Sequence, residues 1–138
     1  MIRGAKNLVV KVGGSLLLRE NEPDLSFIKE LVDSVTELIK EGKKVVLVSS
    51  GAIALGKKEV GSGSPFGGAE TIPPKQALAS IGQIKLMDLY CKFFKRHSLS
   101  VGQILLSAGD FFHHSTYINA RNTCLLYTSD AADEGLGV

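Results

Sequence analysis

At 138 residues, with 44% hydrophobic and 22% charged side chains, the chain is long enough to bury one core, and a single domain is the expected organisation. Its formal charge of +2, carried by scattered rather than clustered lysines and arginines, argues against a dedicated nucleic-acid binder. No run reaches the roughly 18 apolar residues of a membrane helix, no secretory leader pattern opens the chain, and Cys91 and Cys124 form neither a disulfide framework nor a metal-ligand spacing.

A cytoplasmic protein without membrane or nucleic-acid partners is the simplest expectation. No metal site is expected either, since the adjacent pair His113 and His114 lacks a third ligand at a sensible spacing.

In chain order, Asn7 to Val12 forms an apolar run that ends in Gly13-Gly14-Ser15. A lysine near the end of a buried strand must be paired or reach water. Lys11 is therefore either a solvated strand end or a cation placed to meet an anion. Gly13 and Gly14 allow close backbone approach, and Ser15 adds N–H and hydroxyl donors. Neither a P-loop nor a dinucleotide fingerprint is present, so any phosphate site is of another kind.

After a polar linker from Arg19 to Pro23, Asp24 or Ser26 can cap a helix running to about Glu41. Leu25, Ile28, Leu31, Val32, Val35, Leu38 and Ile39 recur at three- and four-residue spacings, and Gly42 supplies the stop. This helix crosses over to a second strand at Val45 to Val48. Four consecutive apolar residues, three of them β-branched, are expected to be buried on both faces. The strand ends in Ser49-Ser50-Gly51 and a helical Ala/Ile/Leu segment. A helical crossover makes the two strands parallel and right-handed, which puts both glycine turns at one edge of the sheet. Lys11, Gly13, Gly14 and Ser15 are thereby expected to converge with Ser49, Ser50 and Gly51 at the carboxyl ends of the strands, where ligands bind in such sheets.

Gly56 to Thr71 has the composition of a loop. Pro73-Pro74 opens a long helix to about His97, whose broad apolar face includes Leu78, Leu86, Tyr90 and Phe93, with Gln76 and Gln83 two turns apart. Val101 to Leu106 is predicted as a third buried strand ending in Ser107 to Asp110. Ser115 or Thr116 can cap a further helix carrying Asn119, Ala120, Arg121 and Asn122, whose polar run offers donors to a carboxylate or phosphate. The expected fold class is α/β, a three-layer α-β-α sandwich with a mainly parallel sheet.

Four stretches carry a resemblance: Leu8 to Leu17, Val46 to Gly56, Lys75 to Gln83 and Tyr117 to Thr123. In this order they resemble the glutamate 5-kinase branch of the amino-acid kinase family. The first is shared across the family; the other three together are specific. Gly13-Gly14-Ser15 departs from the branch's usual Gly-Thr-Ser, and Ser107 to Asp110 from its Thr-Arg/His-Asp-Asp segment.

The resemblance implies an ATP- and Mg2+-dependent transfer of the γ-phosphoryl group to the side-chain carboxylate of L-glutamate, an early step in proline biosynthesis, by a homo-oligomer. It implies Lys11 as the catalytic, phosphate-stabilising cation, Gly13, Gly14 and Ser15 as phosphate-binding donors, and Ser50, Gly51 and Ala52 around the glutamate. Asn119 and Arg121 would also lie near the substrate. Residues 1–123 would form the N-terminal part of an amino-acid kinase domain, inactive or nearly so alone. Cys124 to Glu134 resembles a translated sequencing adapter, so 124–138 is expected to be a non-native tail. Two alternatives stay open on the residues: another amino-acid kinase with a different acid or phosphate acceptor, and a small anion-binding module without catalysis.

Overall fold

A computed structural model describes residues 4–20, 22–61, 63 and 72–128, the side chains of 72, 73 and 125–128 excepted. Strand β1 (Asn7–Val12) is followed by a single 3-10 turn at Gly14–Leu16. The stretch expected as a polar linker instead holds two short antiparallel strands, β2 (Leu18–Arg19) and β3 (Glu22–Pro23). Helix α1 (Leu25–Lys40) then leads to β4 (Lys44–Ser49), which pairs with β1 in parallel, Asn7 beside Lys44 through Val12 beside Ser49.

Local chemistry sets the ends of α1. Asp24 Oδ1 accepts the Phe27 N–H at 2.9 Å, satisfying a donor that the helix itself leaves unpaired. At the other end Gly42 takes φ +77°, and the N–H groups of Gly42 and Lys43 donate to the carbonyls of Ile39 and Leu38. Those two bonds make a Schellman stop, which only a residue free of Cβ enters without strain. The apolar stripe of α1 buries Ile28, Val32 and Val35.

Helix α2 (Ala52–Val60) extends one turn beyond the expected loop start at Gly56 and is capped by Gly61 at φ +73°. Gly56 is therefore an interior helix residue. It is buried against α3 (Ile72–Lys95), and a methyl group in its place would overlap the Leu78 carbonyl. Gly82 of α3 faces back at Ala52 and Gly56 in the same way. The two helices thus pack backbone to backbone, which large side chains at these positions would forbid. Apart from Gly61 and Gly63, the glycine-serine cluster 61–68 lies outside the described residues.

One core joins the sheet to α1, α2 and α3. Val12, Leu17, Ile28, Leu55, Leu86 and Phe93 are all buried in it, with Val10, Val45 and Leu47 packed at its border. Side chains alternate across a strand, so Val9, Lys11 and Val48 point away from this core. Val9 is 72% and Val48 47% exposed. The expectation that β4 is buried on both faces is corrected: its residues are half-buried, and Val48 is exposed.

The predicted third strand is also corrected. Val101 to Ser107 has no regular secondary structure, and Leu105 is 72% exposed. An apolar β-branched run becomes a strand only with a ladder partner, and β1 and β4 pair only with each other among the described residues. A second 3-10 turn (Ala108–Phe111) follows, in which the Asp110 carboxylate accepts from the N–H and hydroxyl of Ser107. These bonds hold the Asp110 carboxyl below its usual value. Helix α4 (His114–Thr128) closes the described chain and packs on β4. Residues 129–138 of the expected tail lie outside the described residues. The architecture is α/β with a parallel sheet.

Candidate functional site

The carboxyl ends of β1 and β4 are stapled together. Val12 C=O accepts both the N–H of Ser50 at 3.1 Å and its hydroxyl at 3.3 Å. Beyond the staple the two glycine turns touch. A Cβ on Gly14 would lie 2.9 Å from Gly51 Cα and 3.0 Å from Gly51 N, closer than side chains tolerate. Gly51 itself takes φ +113° as the N-cap of α2, wedged between Gly14 and Leu17. Two glycines are thus required for two reasons: close approach at Gly14, and approach plus left-handed backbone at Gly51. Of the expected convergence of Lys11, Gly13, Gly14 and Ser15 with Ser49, Ser50 and Gly51, the close approach of Gly14 to Ser50 and Gly51 is the part the geometry shows.

This junction is rich in hydrogen-bond donors. The 3-10 turn uses the N–H groups of Leu16 and Leu17, bonded to Gly13 and Gly14 carbonyls, so its earlier N–H groups remain free among the described residues. Ser15 is exposed. Across the junction, no side chain caps α2, leaving its first-turn N–H groups and the positive end of its dipole directed outward. Lys11 stands two residues before Gly13, exposed on the open sheet face and without an ion-pair partner among the described residues. The combined surface suits an anion.

Asn119 and Arg121 both stand exposed on α4. Two residues apart, they leave the helix on different sides, and among the described residues no side-chain hydrogen bond joins either to the junction. Gln76 is exposed and Gln83 half-buried, also without a hydrogen bond to the turns.

Tyr90 is a residue that sequence reasoning left in the core. Its hydroxyl meets Ser49 Oγ at 2.8 Å, from α3 to the end of β4. Burial pushes the phenol above its usual value, so it stays a neutral O–H. The available signal was chemical: a tyrosine on an otherwise phenylalanine-lined buried face needs a polar partner, and a serine closing a neighbouring strand supplies one.

Two other concavities, about 430 Å³ beside Asp33 and His97 and about 330 Å³ beside Glu22 and Lys58, are lined by no residue of either turn. Several of their charges are paired with one another. Asp33 binds Lys29 at 2.7 Å and His97 at 2.8 Å, and Lys58 pairs with Glu22. Among the described residues no three His, Cys, Asp or Glu side chains gather to hold a metal, and no helix is long and apolar enough to cross a membrane.

Sequence comparison agrees with this geometry. The profile of the amino acid kinase family matches residues 6–132. The glutamate 5-kinase of Syntrophus aciditrophicus is 41% identical over 123 residues, 89% of this chain and 31% of the relative. The glutamate 5-kinase of Thermus thermophilus is 43% identical over 119 residues, 86% and 31% respectively. That of Syntrophotalea carbinolica is 40% identical over 125 residues, 91% and 33%. The chain spans about a third of the length of the curated relatives it matches. With the family profile running through every described strand and helix and the glycine turns meeting at one sheet edge, the chain belongs to the amino acid kinase family.

Proposed function

We propose that the chain forms the acceptor- and phosphate-binding part of a glutamate 5-kinase, which transfers the γ-phosphoryl group of ATP to the side-chain carboxylate of L-glutamate in proline biosynthesis. The direct contact of Gly14 with Gly51 carries this reading, because it merges two donor-lined turns into one surface. The names of the relatives supply the substrate.

In this reading a carboxylate oxygen of glutamate attacks the γ-phosphorus as the bond to the ADP oxygen breaks. Such transfers need positioning and charge neutralisation more than covalent help from the protein. The N–H groups of Gly13, Gly14 and Ser15 orient the transferring group, and the Lys11 ammonium balances its charge. Ser50, Gly51 and Ala52 hold the glutamate. With its proton engaged by Val12 C=O, Ser50 Oγ offers lone pairs suited to the substrate ammonium. Of Asn119 and Arg121, which leave α4 on different sides, one at a time can face the same substrate. Magnesium arrives with the nucleotide phosphates, as is usual for an ion seldom caged by protein alone; the described side chains provide no dedicated ligand set, and no step is assigned to it. The whole enzyme acts as a cytoplasmic homo-oligomer, and residues 124–138 contribute nothing to catalysis.

Nuclear magnetic resonance of the 15N-labelled chain tests the assignment. Millimolar L-glutamate, near the upper range of common Michaelis constants, is expected to move the Gly51 and Ala52 amide resonances, and ATP those of Gly13 to Ser15. Unchanged positions with both ligands would overturn the reading. Another acidic acceptor that moves Gly51 where L-glutamate does not would assign a different amino-acid kinase.

A further inference from the structure

Tyr90 lies outside both turns, 3% exposed, its ring centroid 6.5 Å from that of Phe94. Its hydroxyl nevertheless reaches Ser49 Oγ at 2.8 Å. Ser49 Oγ also lies 3.1 Å from the Ser50 carbonyl, to which it donates its one proton. With that proton engaged, the arrangement leaves Tyr90 as the donor to Ser49. The result is a directed series from Tyr90 O–H to Ser49 O–H to Ser50 C=O.

The last member matters because a peptide group is planar and trans. Holding the Ser50 carbonyl fixes the opposite edge of the same plane, the Gly51 N–H. Gly51 Cα and N are the atoms that Gly14 approaches, and Gly51 is the N-cap of α2. We propose that Tyr90 is a positioning residue for the acceptor substrate, setting through Ser49 the direction of the Gly51 N–H that receives the glutamate carboxylate. This inference rests on the assignment of Ser50 to Ala52 as the glutamate subsite. A tyrosine serving only to fill the core would influence both ligands alike; a positioning tyrosine affects the acceptor alone.

Tyr90→Phe keeps the ring and its packing on Phe94 while removing the first donor. Ser49→Ala breaks the series at its second member from a half-buried position, and remains informative where the core substitution impairs folding. Titration of the labelled 138-residue chain with L-glutamate and with ATP provides the test. Each variant is expected to shift the Gly51 amide resonance and weaken L-glutamate binding about three- to tenfold, the range one hydrogen bond supplies. The double variant is expected to bind no more weakly than either single one, and the ATP-induced changes at Gly13 to Ser15 to stay as they were. Undiminished glutamate affinity in Tyr90→Phe and Ser49→Ala, with normal binding by the unsubstituted chain, overturns the inference alone. Equal losses for ATP and glutamate overturn it too. Absence of glutamate binding by the unsubstituted chain removes the functional reading and the inference with it, an outcome the unsubstituted control separates from the others.

Discussion

Gly56 meets Gly82 where α2 crosses α3, and Gly14 meets Gly51 where two turns cross; both contacts bring backbone against backbone, but their surroundings differ. The helix contact lies among buried Leu55, Leu78 and Leu86, and the backbone groups around it are engaged within helices. The turn contact lies at a sheet edge with unengaged N–H groups and a lysine beside it. Close approach gives packing density in the first case and a concentration of donors in the second. A glycine pair is therefore informative about function only together with the hydrogen-bond state of the backbone around it.

Substitutions separate the two. Gly82→Ala is expected to have the largest effect, about 3 kcal/mol or more of stability, because its methyl group meets helix backbone that cannot rotate aside. Chemical denaturation measures it, and a near-normal midpoint would show that α2 and α3 can separate freely. Gly14→Ala should cost less stability, about 1–2 kcal/mol, since a turn shifts more easily than a helix, yet weaken L-glutamate binding about tenfold or more through the displaced Gly51 N–H. If Gly14→Ala lost stability and kept affinity, the turn contact would be of the same kind as the helix contact.

Asp24→Ala provides a reference change remote from the glycines, expected to cost about 1 kcal/mol through the lost cap on Phe27 N–H with ligand affinity unaltered. Acidification yields the smallest effect. Hydrogen bonding to Lys29, reinforced by His97, holds the Asp33 carboxyl below its ordinary value of 3.8. A carboxyl lowered in the folded state stabilises above the unfolded value and loses that contribution as pH falls through the folded one. Melting temperatures of the parent chain and Asp33→Asn should thus differ slightly at neutral pH and converge below 3.8, both glycine contacts being indifferent to the change.

The parts legible in the sequence are those governed by neighbours along the chain. Asp24 and Gly42 mark the ends of α1 by local hydrogen bonding, and the length of α1 makes β1 and β4 parallel, which is enough to bring Gly14 to Gly51. Distant partners decide what was misread. Gly56 looks like a helix end until Leu78 is beside it, and Val101 to Leu106 looks like a strand until a ladder is sought. The Tyr90 to Ser49 bond spans 41 residues and leaves no spacing to detect.

The face of the sheet that carries Val9 and Val48 bears on electrostatics as well as packing. Val9, Lys11 and Val48 share it, Lys11 standing directly beside Val48 in the register. Any polypeptide that lies over those valines, gaining about 1.5–3 kcal/mol for each one fully buried, also removes water from around the lysine. A unit charge attracts a phosphate several times more strongly at an effective dielectric constant of about 20 than in bulk water. Covering the apolar face would thus strengthen the cation's grip on an anion without moving a single atom of the glycine turns.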